Sequence, residues 1–182
     1  MRKIVAGFFI SLDGVVEAPE TWHMSYFNEE MGEVVGANMA TSDANLFGRV
    51  NYLAQEAHWT AQDPEDPFAK QLNGIKKYVV SDTLDSADWA NSTLIKGTDA
   101  AAELAALKEQ EGGDIYVFGS ATLVRWLIGE GLLDELQLLV HPVVVGHGQR
   151  LFADGDRFSF ELAEARPFKT GVIYTRYTPK AE

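Results

Sequence analysis

Residues Asp114 to Glu135 read DIYVFGSATLVRWLIGEGLLDE, a buried strand, a tight turn of small residues, and then a helix. The apolar run Ile115, Tyr116, Val117, Phe118 is too short for a helix and shows no polar alternation, which predicts a strand covered on both faces of a sheet. Gly119 ends that strand. Ser120, Ala121 and Thr122 are small, and Leu123, Trp126, Leu127 and Ile128 recur at helical spacing. The backbone N–H groups of the first helical turn would then point outward at the carboxyl end of the strand, where an anion such as a phosphate is well placed. A cap at Ser120 and a plain chain reversal at Gly119 would explain the same residues.

Outward from this junction the same alternation continues. Lys3 to Ile10 is a continuous apolar run and predicts a central strand, followed by the loop SLDGVVEAPE with a turn at Asp13-Gly14. Met31, Val34, Val35 and Met39 share one side of a predicted helix over Glu29 to Met39, entered near Asn28. Ala44 to Phe47 is a short strand, Gly48-Arg49 stands at its end, and Val50 to Ala57 is helical. Ala61 to Pro67 is a polar loop. Lys76 to Val80 and Ser92 to Ile95 are strands, Asp99 to Glu109 is an alanine-rich helix, and Glu135 to Val145 is a long β-branched strand containing His141-Pro142. Phe158 to Ala165 and Gly171 to Tyr177 are two final strands close in sequence. The pattern predicts an α/β fold, a mostly parallel sheet with helices on both faces and an antiparallel C-terminal edge.

Composition narrows the function classes. The 182 residues form one domain, 1–182, with no composition break that would mark a linker. No apolar run approaches the roughly 20 residues that span a bilayer, and no signal peptide is expected because Ser11 and Asp13 interrupt the first apolar stretch. A soluble, cytoplasmic protein is expected, and the absence of cysteine removes disulfides and thiolate metal sites. Fifteen Lys and Arg against twenty-seven Asp and Glu give a net charge of -12, which would repel DNA or RNA at long range. A phosphorylated small molecule would need local donors, so Arg49, Lys96 and Arg150 carry the weight. His23, His58, His141 and His147 show no metal-ligand spacing, and no metal is expected. No serine-hydrolase elbow or P-loop is present.

Taken in order, SLDGVVEAPE, LFGR, KKYVVSDTL, IYVFGSATLVRWLIGEGLLDELQLLVHPVVVGHGQRLF and GVIYTRY make the chain resemble the dihydrofolate reductase superfamily. The resemblance is closer to the branch related to the reductase domain of bacterial riboflavin biosynthesis, and it covers nearly the whole chain. It implies a three-layer α/β/α fold with a sheet of about eight strands that binds NADPH across the strands' carboxyl ends. Gly119, Ser120, Ala121 and Thr122 match the glycine-rich turn that receives the pyrophosphate, with Ser120 in place of a second glycine. Gly48 and Arg49 match a Gly-Arg pair, with Arg49 on the 2′-phosphate. Ser81 and Thr83 match hydroxyl-bearing residues near the same phosphate, and Lys96 borders the adenine side. Asp82 between them would repel a 2′-phosphate, so either it faces away or the site accepts NADH.

For chemistry, Asp13 is the catalytic candidate because it leaves the first strand at its carboxyl end, though an ordinary Asp-Gly turn explains it equally. No acid falls where dihydrofolate reductases anchor a pterin; Glu29 and Glu30 read first as a charged helix turn. Trp22, Tyr26 and Phe27 form a candidate apolar wall for a flat heterocycle, and Arg150 is the candidate anion site for a ribosyl phosphate. The expected activity is reduction of a small heterocycle, a phosphoribosylaminouracil or a pterin. A nucleotide-binding protein with little or no activity, or a flavin carrier, are the rivals. Related reductase domains commonly pair, so a homodimer is expected, although the Leu136 to Val145 strand is first of all core.

Overall fold

Strand β1 (Ile4–Ser11) sits mid-sheet because both of its faces are apolar enough to bury. It pairs in parallel with β5 (Asp114–Phe118) on one side and β6 (Glu135–His141) on the other. With β2 (Ser42–Gly48), β3 (Lys76–Val80), β4 (Ser92–Ile95), β7 (Phe160–Pro167) and β8 (Ile173–Pro179) it forms one eight-stranded sheet of order β4-β3-β2-β5-β1-β6-β8-β7. Strands β1 to β6 all run in parallel, and β8 and β7 close the edge antiparallel. The computed structural model describes residues 1–180. Among them, no helix is long and apolar enough to cross a membrane.

Alternation along β1 divides the core into two layers. Ile4, Ala6, Phe8 and Ile10 join the main cluster under α4 (Ala100–Lys108) and α5 (Ala121–Gly129). The opposite face is covered by α1 (Glu29–Thr41), through Met31 and Val34, and by α2 (Arg49–Thr60), through Tyr52. Asn28 caps α1 by accepting the Met31 N–H at 3.0 Å, a bond worth about 1 kcal/mol.

One sequence expectation is corrected and one helix is added. The strand expected to reach Val145 stops at His141: Pro142 has no N–H for the ladder, and the N–H groups of Val145 and Gly146 go to the Asp13 carboxylate. Strand β6 is flanked on both edges, by β1 and β8, so its backbone offers no edge for pairing with a second copy. A further helix, α3 (Pro67–Gly74), follows the polar loop, capped by Asp66, whose carboxylate accepts from Phe68 and Ala69. The Asp-Pro start was its sequence signal.

Lys77 is fully buried in β3, its ammonium donating to the carbonyls of Asn73, Ile75 and Ala90 at 3.0, 2.9 and 3.0 Å and lying 4.3 Å from the Trp89 ring centre. Burial still lowers its pKa from 10.5 to about 8. Between those two values the unfolded chain holds more protons than the folded one, so folding gains stability as pH rises. The stability difference between wild type and Lys77→Met should therefore grow by about 2 kcal/mol from pH 7.5 to 10 in urea titrations. An unchanged difference would show that the ammonium is not held as described.

Candidate active site

Two helices begin at the same place without help from any side chain. Helix α2 starts after Gly48, at the end of β2, and α5 starts after Ser120, at the end of β5; neither has a side-chain cap on its first N–H groups. The two starts touch. A Cβ built on Gly48 would lie 2.7 Å from the Ser120 hydroxyl oxygen, so only glycine lets the turns pack this closely. Asn51, in the first turn of α2, donates to the Phe118 carbonyl at the end of β5 and locks one turn to the other.

Gly119 and Ser120 both have left-handed backbones, at φ 66° and 63°. For serine this conformation is strained, and it turns the chain sharply enough to aim the α5 amides at the strand ends. Residues Gly48, Arg49, Asn51 and Gly119 to Thr122 all line one cleft of about 1340 Å³ across the carboxyl ends of the parallel strands. Asp82 and Gly97, after β3 and β4, close that arm. The Asp82 carboxylate accepts the Gly97 N–H at 2.7 Å.

The remaining cofactor candidates lie beside this arm rather than in its lining. The Ser81 hydroxyl accepts from the N–H groups of Thr83 and Leu84 at 3.2 and 3.1 Å, closing a local turn, and lies 3.4 Å from the Thr83 hydroxyl. Lys96 donates to the Leu84 carbonyl at 2.8 Å. Neither these hydroxyls nor this ammonium face the cleft.

The second arm of the cleft lies over β1 and β6, beneath α1. Gly7, Phe9, Tyr116, Gln137, Leu139 and Tyr174 form its sheet side, and Val34, Val35 and Asn38 of α1 face them. No carboxylate of α1 enters. Glu30 instead accepts the Lys169 N–H at 2.8 Å and a bond from Asn28, and the Lys169 bond lowers its pKa. Gly7, Asn38, Tyr116 and Gln137 are not among the site residues expected from the sequence; a glycine inside an apolar strand, the usual sign of close approach, is the one signal for them.

The expected substrate residues are placed elsewhere. Trp22 and Tyr26 pack edge-on against the fully buried His141, at 5.3 and 5.6 Å between ring centres, and His23 stacks on Phe9 at 4.2 Å. They support Phe9 from outside the cleft. Burial lowers the pKa of both histidines and keeps them neutral. Phe27 is largely exposed, and the Arg150 guanidinium donates to the Asp13 carbonyl at 2.9 Å. None of these residues lines the cleft.

Asp13 is also outside the lining, and its carboxylate is engaged. It accepts from the Ser11 hydroxyl at 2.6 Å and from the N–H groups of Gly146 and Val145 at 2.8 and 3.1 Å. Those bonds, Ser11's first, lower its pKa to about 2, so it holds no proton to donate at neutral pH. Its work is to brace the loop after β1 against the loop after β6. The Val16 to Gln149 and Gln149 to Glu17 bonds, at 2.9 and 2.5 Å, continue that brace and set Val16 to Glu20 on the cleft rim.

The profile of the RibD C-terminal domain family matches residues 2–174. The chain belongs to this family. It is similar to the uncharacterized protein YyaP of Bacillus subtilis (strain 168), 31% identical over 183 residues that cover 97% of this chain and 94% of YyaP. Among solved structures it is similar to a putative riboflavin biosynthesis protein from Shewanella sp. PV-4, with a TM-score of 0.74 and 22% identity over 98% of this chain and 99% of that one. Dihydrofolate reductase from Enterococcus faecalis, complexed with NADP(H), gives a TM-score of 0.64 at 15% identity over 98% and 97%. These two structures establish the dihydrofolate-reductase-like fold expected from the sequence.

Because the folded pKa of Asp13 is depressed, its contribution to stability is present above pH 4 and is lost as pH falls through 2. Asp13→Asn should lower the melting temperature at pH 7 and melt with wild type near pH 2. Cofactor affinity should be retained. Loss of that affinity with an unchanged melting temperature would return Asp13 to the site.

Proposed function

We propose that the protein is an NADPH-dependent reductase of a small heterocycle of the pyrimidine or pterin type. The observation that carries this reading is the meeting of two uncapped helix starts at one cleft, through the contact between Gly48 and Ser120. Unpaired N–H groups from two helices, with both positive dipole ends, suit a pyrophosphate. The crowding at Gly48 leaves the backbone surface, rather than a side chain, to meet the ligand. NADPH would supply a hydride, and the chain binds and orients it.

Within the nucleotide arm the residues divide the 2′-phosphate question between them. Arg49 is the only lysine or arginine that lines the cleft among the described residues, and its exposed guanidinium at the start of α2 suits a phosphate. Asp82 on the same arm opposes it and would suit the hydroxyl of NADH instead. With Arg49 as the free cation, NADPH is the favoured cofactor. That no α1 carboxylate enters the cleft favours a second reading, a nucleotide-binding protein of the same fold with little activity. Steady-state oxidation of NADPH in the presence of heterocyclic carbonyl or imine compounds separates the two.

The first test is a fluorescence titration with NADPH and with NADH. NADPH should bind more tightly, and Arg49→Ala should weaken NADPH by about tenfold while leaving NADH nearly unchanged. Equal loss for both cofactors would remove the 2′-phosphate role, and failure of both to bind wild type would remove the reductase reading.

A further inference from the structure

The second arm of the cleft contains a polar row with a fixed direction. Glu135 on β6 is a carboxylate and can only accept; it takes the Gln137 side-chain N–H at 2.7 Å. That sets the Gln137 amide so that its oxygen accepts from the Asn38 side-chain N–H at 2.5 Å. The same Asn38 nitrogen donates to the Tyr116 phenol oxygen at 3.3 Å. Two groups are then left over at the end of the row. The Tyr116 hydroxyl hydrogen and the Asn38 side-chain carbonyl have no protein partner among the described residues. One is a donor and the other an acceptor, on two side chains that are themselves hydrogen-bonded to each other.

Both belong to residues that line the cleft, and Tyr116 is only 8% exposed. A phenol hydrogen buried there without an acceptor costs free energy until a ligand provides one. Burial raises the Tyr116 pKa, so the hydroxyl stays protonated and remains a donor. The walls beside the pair, Phe9, Val35, Leu139 and Tyr174, are apolar or aromatic and suit the faces of a flat ring.

The charges at this arm are negative. Glu17 and Glu20 stand on its rim, and Arg49 belongs to the other arm, beside β2. Strands β2 and β6 are three strand spacings apart in the sheet, about 14 Å. Among the residues that line the cleft, a phosphate on a ligand seated over β6 would meet two carboxylates and no cation.

We propose that this arm selects an uncharged, phosphate-free heterocycle by its lactam edge, the ring C=O accepting from Tyr116 and the adjacent ring N–H donating to Asn38. Gln137 and Glu135 are positioning residues that hold the Asn38 amide in this orientation. The proposal rests on the reading of the other arm as the nicotinamide cofactor site, and it narrows the substrate to unphosphorylated lactams.

Calorimetric titration of the protein saturated with NADP+ tests it. The probes are lumazine, 1,3-dimethyllumazine, which lacks both ring N–H groups, uridine, and uridine 5′-monophosphate. Lumazine should bind, 1,3-dimethyllumazine should bind about tenfold more weakly, and Tyr116→Phe should weaken lumazine by a similar factor without changing NADP+ affinity. Asn38→Leu, at a half-buried helix position, should give the same loss should Tyr116→Phe fold poorly. The monophosphate should bind no more tightly than uridine. Absent lumazine binding, affinity indifferent to N-methylation and to both substitutions, or a clear preference for the monophosphate would each overturn the proposal. Failure of NADP+ itself to bind would instead overturn the cofactor reading beneath it.

Discussion

Residue 7 has no side chain, and the half of the cleft over β1 and β6 depends on that. Strand β1 lies between β5 and β6, and the phenol of Tyr116 on β5 crosses over it toward α1. A Cβ at Gly7 would fall 1.7 Å from the Tyr116 oxygen, so any other residue would drive the ring away. With the ring in place, the phenol reaches Asn38, Asn38 reaches Gln137, and a polar row is built over an otherwise apolar sheet. The other half of the cleft follows the same rule at Gly48, where a missing side chain lets Ser120 and the start of α5 approach the start of α2.

The charge pattern gains its meaning from this geometry. A chain of net charge -12 cannot hold an anion by its overall field, and the charged residues that line the cleft are Arg49 against Glu17, Glu20 and Asp82. On the proposed reading, anion binding would fall to backbone N–H groups and one guanidinium, confined to the arm where two helices begin. The acidic loop after β1 forms the rim of the opposite arm. Its position is fixed from outside the cleft by the Asp13 carboxylate and by the pairing of Val15 with Arg150.

Much of the fold was legible because short-range chemistry decided it. The strand, turn and helix from Asp114, the Asn28 start of α1 and the alternation of strands with helices all follow local pattern, and the structure keeps them. The end of β6 was legible only in the break that Pro142 imposes; the path of the chain beyond it depends on a carboxylate 132 residues away in sequence that takes the Val145 N–H. For the same reason Asp13 and Arg150 looked free. Ser81 and Lys96 are spent on the turn at Leu84, a partnership that a linear reading cannot see. Tyr116 was read as a core residue, which by burial it is; its polar end matters only because Gly7, two strands' worth of register and α1 bring an amide to it.

Backbone amide shifts from 15N-labelled protein titrated with NADP+ address the cleft most directly. Perturbations should concentrate at Gly48 to Asn51 and Gly119 to Thr122, with smaller changes at Gly7 and Tyr116 and none along β7. Saturation without perturbation of the two helix starts, or shifts centred on Ser81, Thr83 and Lys96 instead, would contradict the placement of the dinucleotide on which the cleft's functional reading rests.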